Sequence, residues 1–207
     1  MDIQIIIFSV IVLIYSAIIH EYMHGWMAER LGDNTAKDEG RLTLNPIPHI
    51  DINGSIILPF ILILTGAPFV FGWAKPVPYN PNNLRDRIYG GAKVALAGPM
   101  ANLIVAVFFG LLLRLIFITQ PFFVNQLLVN FLVVIVQINL LLMVFNLVPI
   151  PPLDGSKIIM PFLPYEWKIR FLKMEQYGFI LVLAFVVVGF SLIVPVIEGL
   201  FKLIVGV

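Results

Sequence analysis

Two histidines and a glutamate near the end of the first apolar run have the spacing of a metal centre. His20 and His24 lie four residues apart, and Glu21 directly follows the first histidine. On an α-helix, side chains four residues apart lie on one face, so both imidazoles can bind one cation. The carboxylate beside the first ligand can then reach a water molecule at that cation. The bare pattern also fits a structural histidine pair at a membrane surface.

The setting of this motif favours a functional site. It ends a run from residue 3 to residue 19 that contains no charged side chain. Ionisable groups at the end of a membrane-length apolar helix are costly to place and mark functional sites. The run lacks the basic start and small-residue cleavage site of a signal peptide, so we expect it to remain as a helix of the mature protein.

Composition identifies the chain as an integral membrane protein. Of its 207 residues, 60% are hydrophobic and 12% are charged, against about 45–50% and 25% in soluble domains. The net charge of +1 offers no polybasic surface, so we expect no nucleic-acid partner. The absence of cysteine excludes disulfides and thiolate metal ligands. We predict one membrane-embedded domain spanning residues 1–207.

The apolar runs predict an all-α polytopic fold. A spanning helix needs about 20 apolar residues, and four runs satisfy this, at about residues 3–28, 88–118, 123–148 and 177–205. The shorter apolar segment 55–71 contains two prolines and a glycine, which predicts a broken or re-entrant segment. The prolines that follow predict a short extended stretch at 72–81.

The basic residues predict the orientation. Lys and Arg are enriched in cytoplasmic loops, and eleven of the 13 lie in the loops 29–51, 72–93 and 155–176. These loops share one side only if segment 55–71 does not cross the membrane. We therefore predict four full spans, both termini outside, and a metal site near the cytoplasmic face.

Two histidines do not complete a catalytic zinc site, which takes three protein ligands and a water molecule. His49 lies far along a loop, and Glu39 lies in a polar loop without an obvious ordered element. Asp154 follows a span that should end on the same face as the first, after a proline run that stops the helix. Spacing alone does not separate this role from that of an ordinary turn.

At these positions the chain resembles the site-2 protease family of intramembrane zinc metalloproteases, in its compact prokaryotic branch without a PDZ domain. The resemblance covers residues 1–155, which we treat as the core, and leaves the last span as an additional helix. It is carried by three motifs in order: His20-Glu21-x-x-His24, Gly98-Pro99-x-x-Asn102 and Asn146-x-x-Pro149-x-Pro151-Pro152-Leu153-Asp154-Gly155.

This resemblance implies a function and a set of roles. It implies one zinc ion per chain on His20, His24 and Asp154, with Glu21 as the catalytic base and Asn146 holding the substrate or the oxyanion. It implies cleavage within or near transmembrane segments of substrate proteins, which are then the partners together with the lipid bilayer. We expect the protein in a prokaryotic cell membrane.

Further residues have expected roles around this centre. Asn139 lies seven residues before Asn146, near the same helix face, and should line the same cavity unless it forms an interhelical hydrogen bond. An extended edge at Trp73, Val77 and Tyr79 could capture an unwound substrate strand. The remaining three, which we expect to pack between helices or to support a ligand, are Gly98, Pro99 and Asn102.

Two other functions fit part of the pattern. A membrane metal transporter would use intramembrane histidines as transit ligands, but it predicts several ligand pairs along a path, and the sequence shows one cluster. A non-catalytic relative that binds membrane segments normally lacks the glutamate or a ligand. Here His20, Glu21, His24 and Asp154 are all present.

Overall fold

The structure is a computed structural model that describes residues 2–57, 60–61, 64–65, 74–119 and 125–206. Its α-helices are α1 (Ile3–Arg30), α2 (Thr35–Asp38), α3 (Gly90–Thr119), α4 (Gln126–Asn146), α5 (Asp154–Ile159), α6 (Tyr165–Glu175) and α7 (Gly178–Val205), and α7 contains a π-helical segment, Phe185–Gly189. Short 3₁₀ turns lie at Ile47–His49, Pro81–Asn83 and Met160–Phe162, and a π turn lies at Ile52–Ile57.

Four of the described helices, α1, α3, α4 and α7, are long and apolar enough to cross a membrane. The predicted all-α polytopic fold is therefore confirmed. Helix α1 continues to Arg30, beyond the predicted end near residue 28, because nothing before Gly32 interrupts it. Most of the predicted re-entrant segment 55–71 lies outside the described residues, as do Gly72 and Trp73.

Helices α1, α3 and α4 pack against one another, and α7 packs against α3 and α4. The buried layer between α3, α4 and α7 is apolar and includes Ala106, Val136, Leu140 and Ile193. Large apolar side chains also cover the outward faces of the spans, as lipid-facing surfaces require.

The chain leaves α1 and enters α3 at the same end of the bundle. The N–H of Arg85 donates to the carbonyl of Leu31 at 2.8 Å. The fully buried Asp33 carboxylate accepts hydrogen bonds from the Asn80 N–H at 2.7 Å and from the Asn83 amide at 2.9 Å. The loops after α1 and before α3 therefore lie on one side, as the distribution of basic residues predicts.

Residues 74–80, which we call the strap, form neither helix nor strand. Polar contacts hold them across the end of α1. The buried Arg41 guanidinium donates to the carbonyls of Lys75 at 3.0 Å and Pro76 at 3.3 Å. The Lys75 N–H donates to the His49 carbonyl at 2.9 Å. The stretch predicted to be extended at 72–81 is thus non-helical over residues 74–80, and a 3₁₀ turn begins at Pro81.

Helix α5 begins at Asp154 and packs against α3. The chain turns sharply between the end of α4 and this point. A side chain at Gly155 would overlap the carbonyl oxygen of Leu147. Glycine at this position therefore allows α5 to start against the last turn of α4, which places Asp154 inside the bundle.

Candidate metal centre

The centre is built where α1 and α3 run antiparallel with matched four-residue spacing. Because residues four apart share a helix face, each helix presents one row of three residues to the other. The two facing rows are Ser16, His20 and His24 on α1, and Asn102, Gly98 and Val94 on α3.

Hydrogen bonds fix which nitrogen of His20 faces the centre. The side-chain nitrogen of Asn102 donates to the Ser16 carbonyl at 3.2 Å and to Asn139 Oδ1 at 3.0 Å. Asn102 Oδ1 is therefore an acceptor, and His20 Nδ1–H must donate to it, at 2.6 Å. In the neutral ring this leaves the lone pair on His20 Nε2.

The backbone fixes His24 in the same way. His24 Nδ1 lies 2.7 Å from the carbonyl oxygen of Val94, which can only accept. His24 Nδ1 is therefore protonated, and its Nε2 also presents a lone pair in the neutral ring. The two rings are nearly perpendicular, with centroids 4.6 Å apart. Metal-binding histidines commonly donate their other ring N–H to such an acceptor, as both rings do here.

Both lone pairs face one carboxylate oxygen. Asp154 Oδ2 lies 3.0 Å from His20 Nε2 and 3.1 Å from His24 Nε2, and all three side chains are buried. In the neutral rings neither Nε2 carries a hydrogen, so neither imidazole can donate to this oxygen.

Two imidazole nitrogens and a carboxylate oxygen at one point require a positive charge between them. The donor set is the one that zinc takes in catalytic sites, with three protein ligands and an open position. Tetrahedral zinc with bonds of about 2.0–2.2 Å separates its ligand atoms by about 3.3–3.6 Å, a few tenths of an ångström more than the 3.0 and 3.1 Å found here. These residues fit the metal that the sequence predicts.

Gly98 leaves the space for this convergence. A Cβ at this position would lie 2.6 Å from Nε2 of both His20 and His24. No larger residue can occupy the position without displacing a ring. The expected close approach of α1 and α3 therefore occurs directly at the ligand atoms. Pro99, the next residue, is buried within α3.

Glu21 lies beside the ligands. Its carboxylate, His20 and His24 place one ligand atom each within 4.8 Å of one another. Glu21 Oε2 accepts a hydrogen bond of 2.8 Å from the Val77 N–H of the strap. The Val77 side chain is buried against α1, where only a glycine at position 25 leaves room for it.

Other predicted residues lie at different distances from the centre. Asn139 is fully buried, and its amide donates to Ser16 Oγ at 2.9 Å, so it forms the interhelical hydrogen bond that the sequence left open. Asn146 is half-buried and donates to the Leu142 carbonyl of its own helix. Tyr79 is a half-buried residue of the strap, whereas Trp73 lies outside the described residues.

The alternative third ligands lie elsewhere. His49 is buried in the loop after α2, and its Nε2 donates to the Thr43 carbonyl at 2.8 Å. Glu39 is exposed next to α2. Of the three candidates for the third position, only Asp154 contacts His20 and His24.

Several supporting residues were not predicted from the sequence. Ser16, the Val94 carbonyl, Asp33 and Arg41 all position the centre or the strap. The sequence spacing does indicate that Ser16 and Val94 lie near the site, because Ser16 precedes His20 by four residues and Val94 precedes Gly98 by four. Neither residue type indicates a metal site by itself.

A membrane-spanning helical bundle that holds a His-Glu-x-x-His pair against a buried aspartate defines a membrane metalloenzyme. Comparison with known proteins places it more narrowly. Residues 112–189 match the model of peptidase family M50. No solved structure shows a significant match to the chain.

Relatives extend the match over most of the chain. YwhC of Bacillus subtilis, named as a candidate zinc metalloprotease, is 39% identical over 182 residues, which cover 85% of this chain and 78% of that protein. MJ0611 of Methanocaldococcus jannaschii, named likewise, is 35% identical over 82% of this chain and 81% of its own length. Rip2 of Mycolicibacterium smegmatis is 31% identical over 83% of this chain, which spans 63% of that protein.

The chain belongs to peptidase family M50, the site-2 protease family of zinc metalloproteases. It is a membrane metalloprotease, as the motifs predict.

Proposed function

We propose that this membrane metalloprotease cleaves peptide bonds within or near transmembrane segments of other membrane proteins. The observation that carries the proposal is the depth of the centre. His20 lies ten residues before the end of α1, which is about 15 Å along the helix axis. The ligands are buried among helices of membrane length, so a substrate segment must reach them inside the bundle.

In this proposal His20, His24 and Asp154 hold one zinc ion per chain. When bound, zinc acts as a Lewis acid toward the scissile carbonyl and lowers the pKa of water to about 7. The protein keeps the three donor atoms in place through Asn102 and the Val94 carbonyl. It also excludes bulk water, because the ligand side chains are buried.

Glu21 acts as the general base. It takes a proton from the attacking water and passes it to the leaving amine as the C–N bond breaks. The hydrogen bond from the Val77 N–H holds one carboxylate oxygen in place. Within the described residues this is the one hydrogen bond that Glu21 makes, so its other oxygen is available to the water.

The substrate contacts follow the expectations from the sequence. The Asn146 amide would donate to the oxyanion, for which its side chain must leave the Leu142 carbonyl. The strap, with Val77 and Tyr79 and continuing from Trp73, would pair with the unwound substrate strand. Because Asn139 is fully buried and bonds Asn102 and Ser16, we assign it a structural role between α4, α3 and α1.

We place the centre near the cytoplasmic face of a prokaryotic cell membrane. The loops at the His24 end of α1 and at the start of α3 contact each other and carry many of the basic residues. The positive-inside rule assigns such loops to the cytoplasm.

Substitution of the base tests the proposal. Glu21→Gln should keep zinc, because both imidazoles and Asp154 remain, and should lose cleavage of a reconstituted single-span membrane protein. The matched control is Glu29→Gln on the same helix, whose carboxylate pairs with Lys37 at the surface. Cleavage by Glu21→Gln at the wild-type rate, or fragments that end far from the transmembrane segment of the substrate, would contradict it.

A further inference from the structure

A cleft of about 740 Å³ opens beside the metal centre. One wall is the approach to α3, with Arg87 and Gly91, and the other is formed by α5, its following turn and α6. Ser156, two residues after the ligand Asp154, and Tyr79 of the strap also line it. The cleft therefore lies at the end of the bundle that carries the strap and the start of α3.

Three cationic side chains line the cleft. Arg87, Lys157 and Lys168 line it, and the two lysines are half-buried. Among the residues that the structure describes, none of the three forms an ion pair, whereas Lys37 of α2 and Lys93 of α3 do. We call this feature the cationic cleft.

Two acidic residues also line it, and they do not neutralise it. The Asp86 carboxylate already binds Lys93 at 2.7 Å. Glu175 lies at the far end of α6, about two helical turns from Lys168. The centre of the cleft therefore has an excess of positive charge.

Part of the apolar lining lies on one face of α6. Tyr165, Ile169 and Leu172 follow the spacing of an amphipathic helix along α6 and face the cleft together with Lys168. Trp167 on the same helix is half exposed. Aromatic residues and amphipathic helices of this kind lie at the membrane–water interface.

A cleft that combines cations with apolar side chains beside an interfacial helix matches a lipid better than a peptide. Cytoplasmic segments that flank transmembrane helices are rich in Lys and Arg, so the flank of a typical substrate would be repelled. Phospholipids of the cytoplasmic leaflet supply the opposite charge next to an acyl chain. We propose that the cationic cleft binds the head group of an anionic phospholipid, with Arg87 and Lys168 contacting the phosphate.

The proposal does not depend on proteolysis, so lipid binding can be measured directly. Native mass spectrometry of the detergent-purified, zinc-loaded protein would compare retention of phosphatidylglycerol with that of phosphatidylcholine. Each cation near an anionic lipid surface contributes about a fivefold gain in binding. Lys168→Gln should weaken phosphatidylglycerol retention about fivefold, and Arg87→Gln with Lys168→Gln about 25-fold.

Lys173→Gln is the matched control, since Lys173 lies on the same helix, is exposed and does not line the cleft. Lys168→Arg keeps the charge and should bind as the wild type does. Zinc content and thermal unfolding verify the fold of each variant. Equal loss in Lys168→Gln and Lys173→Gln, or equal retention of both lipids, would overturn the proposal. So would displacement of the lipid by inorganic phosphate at millimolar concentration, which would identify a free-phosphate site.

Discussion

Asn102 should control zinc affinity without contacting the metal. Asn102→Leu keeps the volume of the side chain approximately and removes its polar atoms. It deprives His20 Nδ1–H of its acceptor at 2.6 Å and leaves two acceptors, the Ser16 carbonyl and Asn139 Oδ1, without this donor. All of these groups are buried between α1, α3 and α4, where water cannot replace the lost partner.

The expected loss of zinc affinity depends on which of these groups is attached to a metal ligand. A buried polar group left without a partner costs about 1–3 kcal/mol, and His20 Nδ1–H is the one attached to a ligand. Zinc affinity should therefore fall by about 10–100-fold, the range found when the support of a metal-binding histidine is removed. The loss at Asn139 should lower the stability of the zinc-free protein by a similar free energy. Competition against a fluorescent zinc chelator measures the first effect, and thermal unfolding of the zinc-free protein measures the second.

Two further asparagines provide the control. Asn139→Leu leaves the bond between His20 and Asn102 intact, so it should lower stability with little change in zinc affinity. Asn130→Leu, on the same helix but bonded to Gln126 away from the centre, should change neither. The reasoning is refuted if Asn102→Leu binds zinc as tightly as the wild type, or if Asn139→Leu weakens zinc binding equally.

Three other outcomes follow from the geometry. Gly98→Ala should abolish zinc binding in a folded protein, because its methyl would lie 2.6 Å from both ligand nitrogens, and metal analysis after purification measures this. Burial raises the pKa of the Asp33 carboxyl, but four hydrogen bonds outweigh it and hold that pKa below its ordinary value of 3.8. The ionised carboxylate therefore stabilises the folded protein fully at neutral pH, and this stabilisation is lost as the pH falls below about 4. Asp33→Asn should consequently be less stable than the wild type at pH 7, with the difference shrinking in acid, as thermal unfolding across pH would show. Val77→Pro removes the N–H that donates to Glu21 and should lower turnover with zinc retained. Val77→Ala keeps this N–H and should retain activity. Equal activity in both variants would exclude a role for this contact.

The sequence predicted the parts of the site that depend on spacing along one helix. The four-residue interval of His20 and His24 requires only that the first apolar run be helical. Gly98 and Asn102 have the same interval, and the structure places both against the histidines. Asp154 was different, because its distance from His20 depends on how α5 turns back after α4, and only the family resemblance separated it from a simple turn.

The sequence could not reveal contacts that depend on the backbone or on neighbours distant in the chain. The N–H of Val77 reaches Glu21 through a main-chain atom, which carries no residue-type signal. Asp33 has the appearance of an ordinary helix stop after Gly32, yet it is fully buried and joins α1 to the start of α3. Asn139 could not be assigned to a cavity or to an interhelical bond until its burial against Ser16 was known.

The strap has few backbone groups with which a substrate strand can pair. Along one edge of the strap, Pro76 and Pro78 have no N–H, and the Pro76 carbonyl already accepts a hydrogen bond from Arg41. This edge therefore has few free groups for hydrogen bonds with a second strand. The other edge presents Val77, whose N–H is bound by Glu21. A substrate strand that pairs there must displace Glu21 from this N–H, because one N–H cannot serve both acceptors well. Because this hydrogen bond holds the Glu21 carboxylate for catalysis, a productive strand should pair farther along the same edge, toward Tyr79, and leave the Val77 N–H to Glu21.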